Sequence, residues 1–317
     1  MNDVVFGPVP SRRLGQSLGI NNVPAKTCTY SCVYCQLGAT PQKLRRQQFY
    51  APGDIAAAAK EAVMAHPDVD YITFVPDGEP TLDRHIGKTI RLLRPLGVPV
   101  AVITNGSLLW QKNVRTALKQ ADWVSIKIDA ISESIWQHIN RPHGKLELGT
   151  IQQGWTAFAK EYDGTLTTET MLVNGVNDNE DELPNIAACI ASLKPTIAYI
   201  AVPTRPPALS WVLPPKAKTR AMAYTVFSTQ GLPVEELLGY SPEDFASGDD
   251  MAARILAILA VHPMREQELR QLLTDSNTGW HIVEELENSG DIRAVSYQGQ
   301  RFYVRMLPGV TRGDTNA

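Results

Sequence analysis

Cys28, Cys32 and Cys35 fall within eight residues, K-T-C-T-Y-S-C-V-Y-C-Q, spaced C-x3-C-x2-C with Tyr34 directly before the last cysteine. Iron–sulfur clusters are held by cysteine thiolates. Three thiolates on one tight loop can hold three irons of a cubane and leave the fourth iron without a protein ligand, open to a small molecule. Residues 1–53 carry six Lys or Arg against Asp3 alone, and nearby cations favour the thiolate form. Structural zinc is the alternative. It wants four ligands, usually as two separated pairs, and a fourth would have to come from a distant His such as His85 or His143.

Positioning such a loop is the task of the surrounding elements. From about Ile55 to Gln230, apolar β-branched runs alternate with helix-like segments. Strands are expected at 71–75, 100–104, 123–128, 166–173 and 197–202, with a short first strand at 18–20 before the cysteines. Helices between them imply a parallel sheet with right-handed crossovers. Six such units with no dinucleotide glycine fingerprint predict an α/β fold, a partial (β/α)6 TIM-like barrel, whose chemistry gathers at the C-terminal strand ends.

Other residues fall at those ends. The second expected strand closes in P-D-G-E-P-T, where Gly78 permits close backbone approach and Pro80 stiffens the turn; a plain helix-capping turn is the alternative. In W-V-S-I-K-I-D-A, Val124, Ile126 and Ile128 share one face, and Ser125, Lys127 and Asp129 the other. The second set points into the barrel, either as a Lys127–Asp129 pair or toward a cofactor's carboxylate or ribose. Asn105 ends the third strand in T-N-G. Glu169 and Asn174 belong to the fifth strand and its end, Arg141 and His143 follow the fourth, and Arg205 follows the sixth. These five are candidate substrate contacts, with surface ion pairs as the alternative for Arg141, His143 and Arg205.

The C-x3-C-x2-C loop with its aromatic resembles that of the radical S-adenosylmethionine (radical SAM) enzymes. P-S-R-R-L-G-Q-S-L-G-I-N-N-V-P followed by C-V-Y-C-Q-L-G is more narrowly similar to the branch containing the wyosine-forming tRNA enzymes. The resemblance covers about residues 5 to 215. It implies a [4Fe-4S] cluster on Cys28, Cys32 and Cys35, and S-adenosylmethionine on the fourth iron. One electron would cleave it to methionine and a 5′-deoxyadenosyl radical that takes hydrogen from a substrate. It also implies cofactor contacts from Gly78, Glu79 and Pro80, to which the strand reading adds Ser125 and Lys127 on the inward face and Asn105 as either a cofactor contact or a plain turn residue; a reductant protein such as flavodoxin or ferredoxin is expected. The wyosine-forming enzymes carry further cysteines for a second cluster. Only Cys189 remains here, in an apolar helical stretch where it reads as a buried small hydrophobe. The substrate is therefore open, with tRNA or a protein residue as candidates.

The 317 residues suffice for one large domain and a small one. We expect a barrel domain over 1–240, a linker at 241–250, a winged-helix-like module over 251–307 (three helices and a hairpin) and a frayed tail at 308–317. Net charge is −3, and neither a secretion signal nor a membrane-spanning run is visible, so a cytoplasmic protein without membrane partners is expected. Residues 250–307 hold six Arg and no Lys against eight acids. Glu284, Glu285 and Glu287 on the expected recognition helix would repel phosphates, which argues against DNA. A metal- or redox-sensing winged-helix regulator with a non-catalytic cysteine site is the rival reading.

Overall fold

The computed structural model describes residues 4–237, 251–261 and 263–306. The first body is one eight-stranded sheet in sequential order. Its strands are β1 (Val5–Ser11), β2 (Gly15–Ile20), β3 (Tyr71–Phe74), β4 (Val100–Thr104), β5 (Trp123–Lys127), β6 (Thr165–Met171), β7 (Ile197–Ala201) and β8 (Val234–Leu237). β1 pairs antiparallel with β2, and every later neighbour is parallel. The helices are α1 (Pro52–Ala65), α2 (Ile86–Leu93), α3 (Lys112–Leu118), α4 (Glu133–Ile139), α5 (Leu148–Glu161), α6 (Glu182–Leu193) and α7 (Ala217–Thr229). This is an open, curled half-barrel.

The two faces of the sheet differ as strand alternation requires. Val124, Ile126, Ile128, Val102 and Ile200 pack with helix residues such as Ile90, Ile151 and Ile186 in the main core. The other face holds a separate buried group of Leu14, Ala101, Trp123 and Tyr199 with no helix residue in it. That group marks the concave side, which Ser125, Lys127, Thr167 and Glu169 share by register.

Two strands of this sheet are absent from the sequence reading. β1, V-F-G-P-V-P-S, holds two prolines, which confines it to a sheet edge. β8, V-E-E-L, is a short edge strand with no buried residue. Cys189 is half-buried rather than fully enclosed, and desolvation pushes its thiol up to about 11.

The C-terminal residues form α8 (Met251–Val261), β9 (Met264–Arg265), α9 (Glu266–Asp275), α10 (His281–Asn288), β10 (Ile292–Tyr297) and β11 (Gln300–Arg305). The strands make an antiparallel sheet ordered β10-β11-β9, and the helices pack on it around their own core, which includes Ile255, Leu269, Val283 and Tyr303. The expected linker at 241–250 and tail at 308–317 lie outside the described residues. No helix among the described residues is long and apolar enough to cross a membrane.

Candidate functional site

The segment from Asn21 to Ala51 joins β2 to α1 at the C-terminal ends of the parallel strands. Thr27 bridges Gly78 just beyond β3, and Cys28 bridges Gln42. Gly78 is required there, because a Cβ would sit 2.3 Å from the Thr27 carbonyl oxygen. Two tight turns follow, with Cys35 N–H donating to Cys32 C=O and Gly38 N–H to Cys35 C=O, both at 3.1 Å. The end of α4 holds the loop from outside. Val33 N–H donates to Ile139 C=O at 2.9 Å, and Ser31 N–H to Asn140 C=O and Arg141 C=O at 3.0 Å. Arg141 is left-handed at φ +44°, and its carbonyl also accepts Gln42 Nε2 at 3.0 Å. Trp136 Nε1 donates to Tyr30 Oη at 3.2 Å.

Two of the sulfurs meet asparagine amides in matching arrangements. Asn105 Nδ2 lies 3.6 Å from Cys28 Sγ and donates to Thr29 Oγ1 at 2.8 Å. Its backbone N–H donates to Glu79 Oε2 at 2.8 Å. Glu79 Oε1 accepts from Thr81 N–H at 3.0 Å and Thr104 Oγ1 at 2.7 Å. Asn140 Nδ2 lies 3.5 Å from Cys32 Sγ and donates to Asp129 Oδ2 at 2.7 Å. Asp129 also accepts the Tyr34 hydroxyl and, through Oδ1, Met171 N–H at 2.8 Å. Thus Glu79 and Asp129, both buried, each orient the asparagine that faces a sulfur.

The electrostatics overturn one expectation. The cations of the first 53 residues do not hold the thiols ionised. Burial, then Glu79, pushes Cys28 well above the ordinary thiol range; burial, then Asp129, pushes Cys32 up to about 12. Arg46 is spent on the carbonyls of Thr81 and Asp83, at 2.7 and 3.1 Å, while carboxylates stand nearer the sulfurs. Burial also raises Glu79 and Asp129 themselves.

Lys127 does not pair with Asp129. Its Nζ lies 2.9 Å from Glu169 Oε1 and 4.9 Å from the Tyr34 ring centroid. Glu169 also takes Arg13, which the β1–β2 turn inserts into the concave side. Burial would raise Glu169, but Lys127 and then Arg13 outweigh it and bring it down to about 2. Burial likewise opposes the charge on Lys127, and Glu169 reverses that, leaving it above its ordinary value. Beside them, the buried hydroxyls of Ser125 and Thr167 have no hydrogen-bond partner within the protein.

The remaining candidates separate. Pro80 opens a short 3-10 turn, and its carbonyl accepts Asn22 Nδ2 at 3.0 Å. His143 N–H donates to Thr29 C=O at 2.9 Å, beside the loop. Asn174 is exposed after β6, its N–H on Leu213 C=O at 2.9 Å, and Arg205 is half-buried in the proline-rich segment after β7. Arg13 and Thr167 are missing from the sequence reading. Their only signals are tertiary, apart from the polar alternation of T-L-T-T-E-T, which places Thr167 and Glu169 on one face.

The donor set suits a cluster with one open iron: three sulfurs on one loop, amide donors against two of them, and unpartnered hydroxyls on the concave face for a polar ligand. Among the described residues no three His, Cys, Asp or Glu side chains gather as ligands of a single ion, and neither His85 nor His143 joins the cysteines in one. A cubane takes one thiolate per iron and does not ask for that convergence.

The radical SAM superfamily profile matches residues 22–185. The UPF0026 protein of Methanocaldococcus jannaschii is 39% identical over 99% of both chains. The crystal structure of Streptococcus suis SuiB bound to S-adenosylmethionine aligns over 68% of this chain and 49% of that one, with TM-score 0.54 at 11% identity. A radical SAM methyltransferase from Sphaerobacter thermophilus aligns over 75% and 69%, with TM-score 0.52 at 16% identity. At such identities the two structures speak for the fold alone.

Proposed function

We propose that this chain, which belongs to the radical SAM superfamily of iron–sulfur enzymes and to its UPF0026 proteins, holds a [4Fe-4S] cluster on Cys28, Cys32 and Cys35. The observation that carries this is the three-cysteine loop fixed at the C-terminal strand ends, with Asn105 and Asn140 amides against two sulfurs. When bound, the cluster and S-adenosylmethionine supply one-electron cleavage of a sulfonium C–S bond and hydrogen abstraction from a substrate C–H bond.

The chain's own groups have separable tasks in this reading. Gly78 admits the Thr27 carbonyl, and Glu79 fixes the Asn105 turn behind Cys28. Ser125 and Thr167 offer hydroxyls to a polar ligand on the concave face. Lys127 is neutralised by Glu169 and presents its remaining surface toward Tyr34. The curled sheet and the proline-rich segment over the loop keep water from a reactive centre, as radical chemistry requires. Leu209 N–H in that segment donates to Val33 C=O at 3.2 Å, and Val212 is buried.

The substrate is a tRNA or a protein residue, and the electron comes from a flavodoxin- or ferredoxin-like donor. We read the C-terminal unit as winged-helix-like. Its α10 acids favour contact with protein or presentation of substrate over DNA. Protein purified without oxygen, reconstituted with iron and sulfide, and given reductant and S-adenosylmethionine should release 5′-deoxyadenosine. A full cluster with no such product would overturn the proposal.

A further inference from the structure

Outside the cysteine loop lies a cavity of about 570 Å³ that none of the chemistry above uses. Its size is that of a small-ligand site, which typically spans about 300–1,000 Å³. One wall is the extended segment 43–49 and the other is 143–145. Both walls are stitched to the loop: Lys43 N–H donates to Cys28 C=O at 2.7 Å, and His143 N–H to Thr29 C=O at 2.9 Å.

The lining combines cations with an aromatic ring. Lys43, Arg45 and Lys145 are exposed, while Phe49 is half-buried in the wall. Alternation along the extended segment separates two kinds of cation. Arg46 turns inward and bonds the carbonyls of Thr81 and Asp83. Lys43 and Arg45 turn the other way, and Lys43 Nζ has one weak neutral contact, Thr27 Oγ1 at 3.4 Å. Among the described residues, Lys43, Arg45 and Lys145 are in no ion pair. On a chain of net charge −3, three uncompensated cations around one concavity form a local anion site.

We propose that this cavity binds a nucleotide, with phosphate on Lys43, Arg45 and Lys145 and the base against Phe49. Cations that follow a backbone beside a stacking ring are the general design for holding nucleotides without reading their sequence. More than one cation favours a ligand with several phosphates, either a free nucleoside polyphosphate or successive nucleotides of an RNA strand. The wall that would hold such a ligand is hydrogen-bonded to Cys28 through Lys43 N–H. The cavity's use as the substrate's entry rests on the radical reading, but the ligand's binding does not.

The test uses the full chain without added S-adenosylmethionine and follows fluorescence anisotropy of a labelled single-stranded RNA dodecamer. ATP, inorganic phosphate and a poly-glutamate peptide serve as competitors. Binding should weaken tenfold or more in the combined Lys43→Ala, Arg45→Ala, Lys145→Ala variant. It should persist in the charge-retaining Lys43→Arg, Arg45→Lys, Lys145→Arg variant and fall several-fold in Phe49→Leu. With about three phosphates neutralised, log affinity should fall with log salt at a slope of about −2. Displacement by ATP identifies a free nucleotide, and displacement by unlabelled RNA alone identifies a strand; both support the proposal. No binding by the wild type, unchanged binding in the alanine variant, or displacement by poly-glutamate as effective as by ATP and RNA would overturn it. Release of 5′-deoxyadenosine is measured separately, so failure here leaves the radical reading standing, and the reverse.

Discussion

The half-barrel buries carboxylates in two different ways. At the rim, Glu79 and Asp129 take their hydrogen bonds from neutral donors, mainly backbone N–H groups, hydroxyls and an asparagine amide. On the concave face, Glu169 sits between two cations, Lys127 and Arg13. Burial raises the pKa of the rim pair, whereas the cations lower that of Glu169 to about 2. The rim carboxylates therefore act by orientation: each fixes an asparagine that faces a sulfur. The inner cluster acts by cancellation: each charge exists because the others do. The rim carboxylates hold the asparagines that face the sulfurs, and the charges on the concave face hold one another.

The largest expected effect falls at the rim itself. Cys32→Ala should abolish both cluster and S-adenosylmethionine cleavage, read by iron content and 5′-deoxyadenosine. Cys189→Ala, on α6 away from the loop, should leave both intact. Cleavage surviving in Cys32→Ala would break the ligand assignment.

The two kinds of carboxylate should then separate in stability. Glu169→Gln leaves two half-buried cations without their partner, and removing one member of such a pair costs about 3 kcal/mol. The acid limb carries a signature. A carboxylate lowered to about 2, against about 4.3 when unfolded, stabilises the fold above pH 4.3 and loses that contribution as pH falls through 2. Urea unfolding of the wild type minus that of Glu169→Gln should therefore shrink by about 3 kcal/mol across that window. Glu79→Gln removes no ion's partner but sets an NH2 against donors, at a cost of about 2 kcal/mol. Its sign with pH is opposite. Because the folded pKa of Glu79 is raised, the wild type gains stability relative to the variant as pH falls through it. Equal slopes in the two variants would erase the distinction between orientation and cancellation.

The sequence carried the site's chemistry further than its wiring. The cysteine spacing, the P-D-G-E-P-T turn and the inward face of W-V-S-I-K-I are local patterns, and residues 71–74, 100–104 and 197–201 are strands close to where alternation placed them. What was not legible depends on contacts across the chain. Lys127 pairs with Glu169 rather than Asp129, because register sets Lys127 opposite Glu169 on β6 while Asp129 lies past the end of β5 and turns to Tyr34. Asn140 reaches Cys32 across 108 residues; no periodicity reports that. Among the cations of the first segment, Arg46 turns to the carbonyls of Thr81 and Asp83 and Arg13 to Glu169, directions that a count of charges does not give.

The smallest effect concerns the C-terminal unit. Tyr297 Oη at the end of β10 donates to Val212 C=O at 3.1 Å, and the same proline-rich segment donates from Leu209 to Val33, the neighbour of Cys32. The β10–β11 hairpin thus reaches the cysteine loop through one intermediate segment, 203–215. Tyr297→Phe removes a single neutral hydrogen bond, worth about 1 kcal/mol, and keeps the ring that packs against Phe302. Amide hydrogen exchange at Leu209 and Val212 should quicken by up to about fivefold, while amides in β3 and β4 stay unchanged. If that segment exchanges at the wild-type rate, the hairpin is not what holds it, and the rim's order comes from the half-barrel alone.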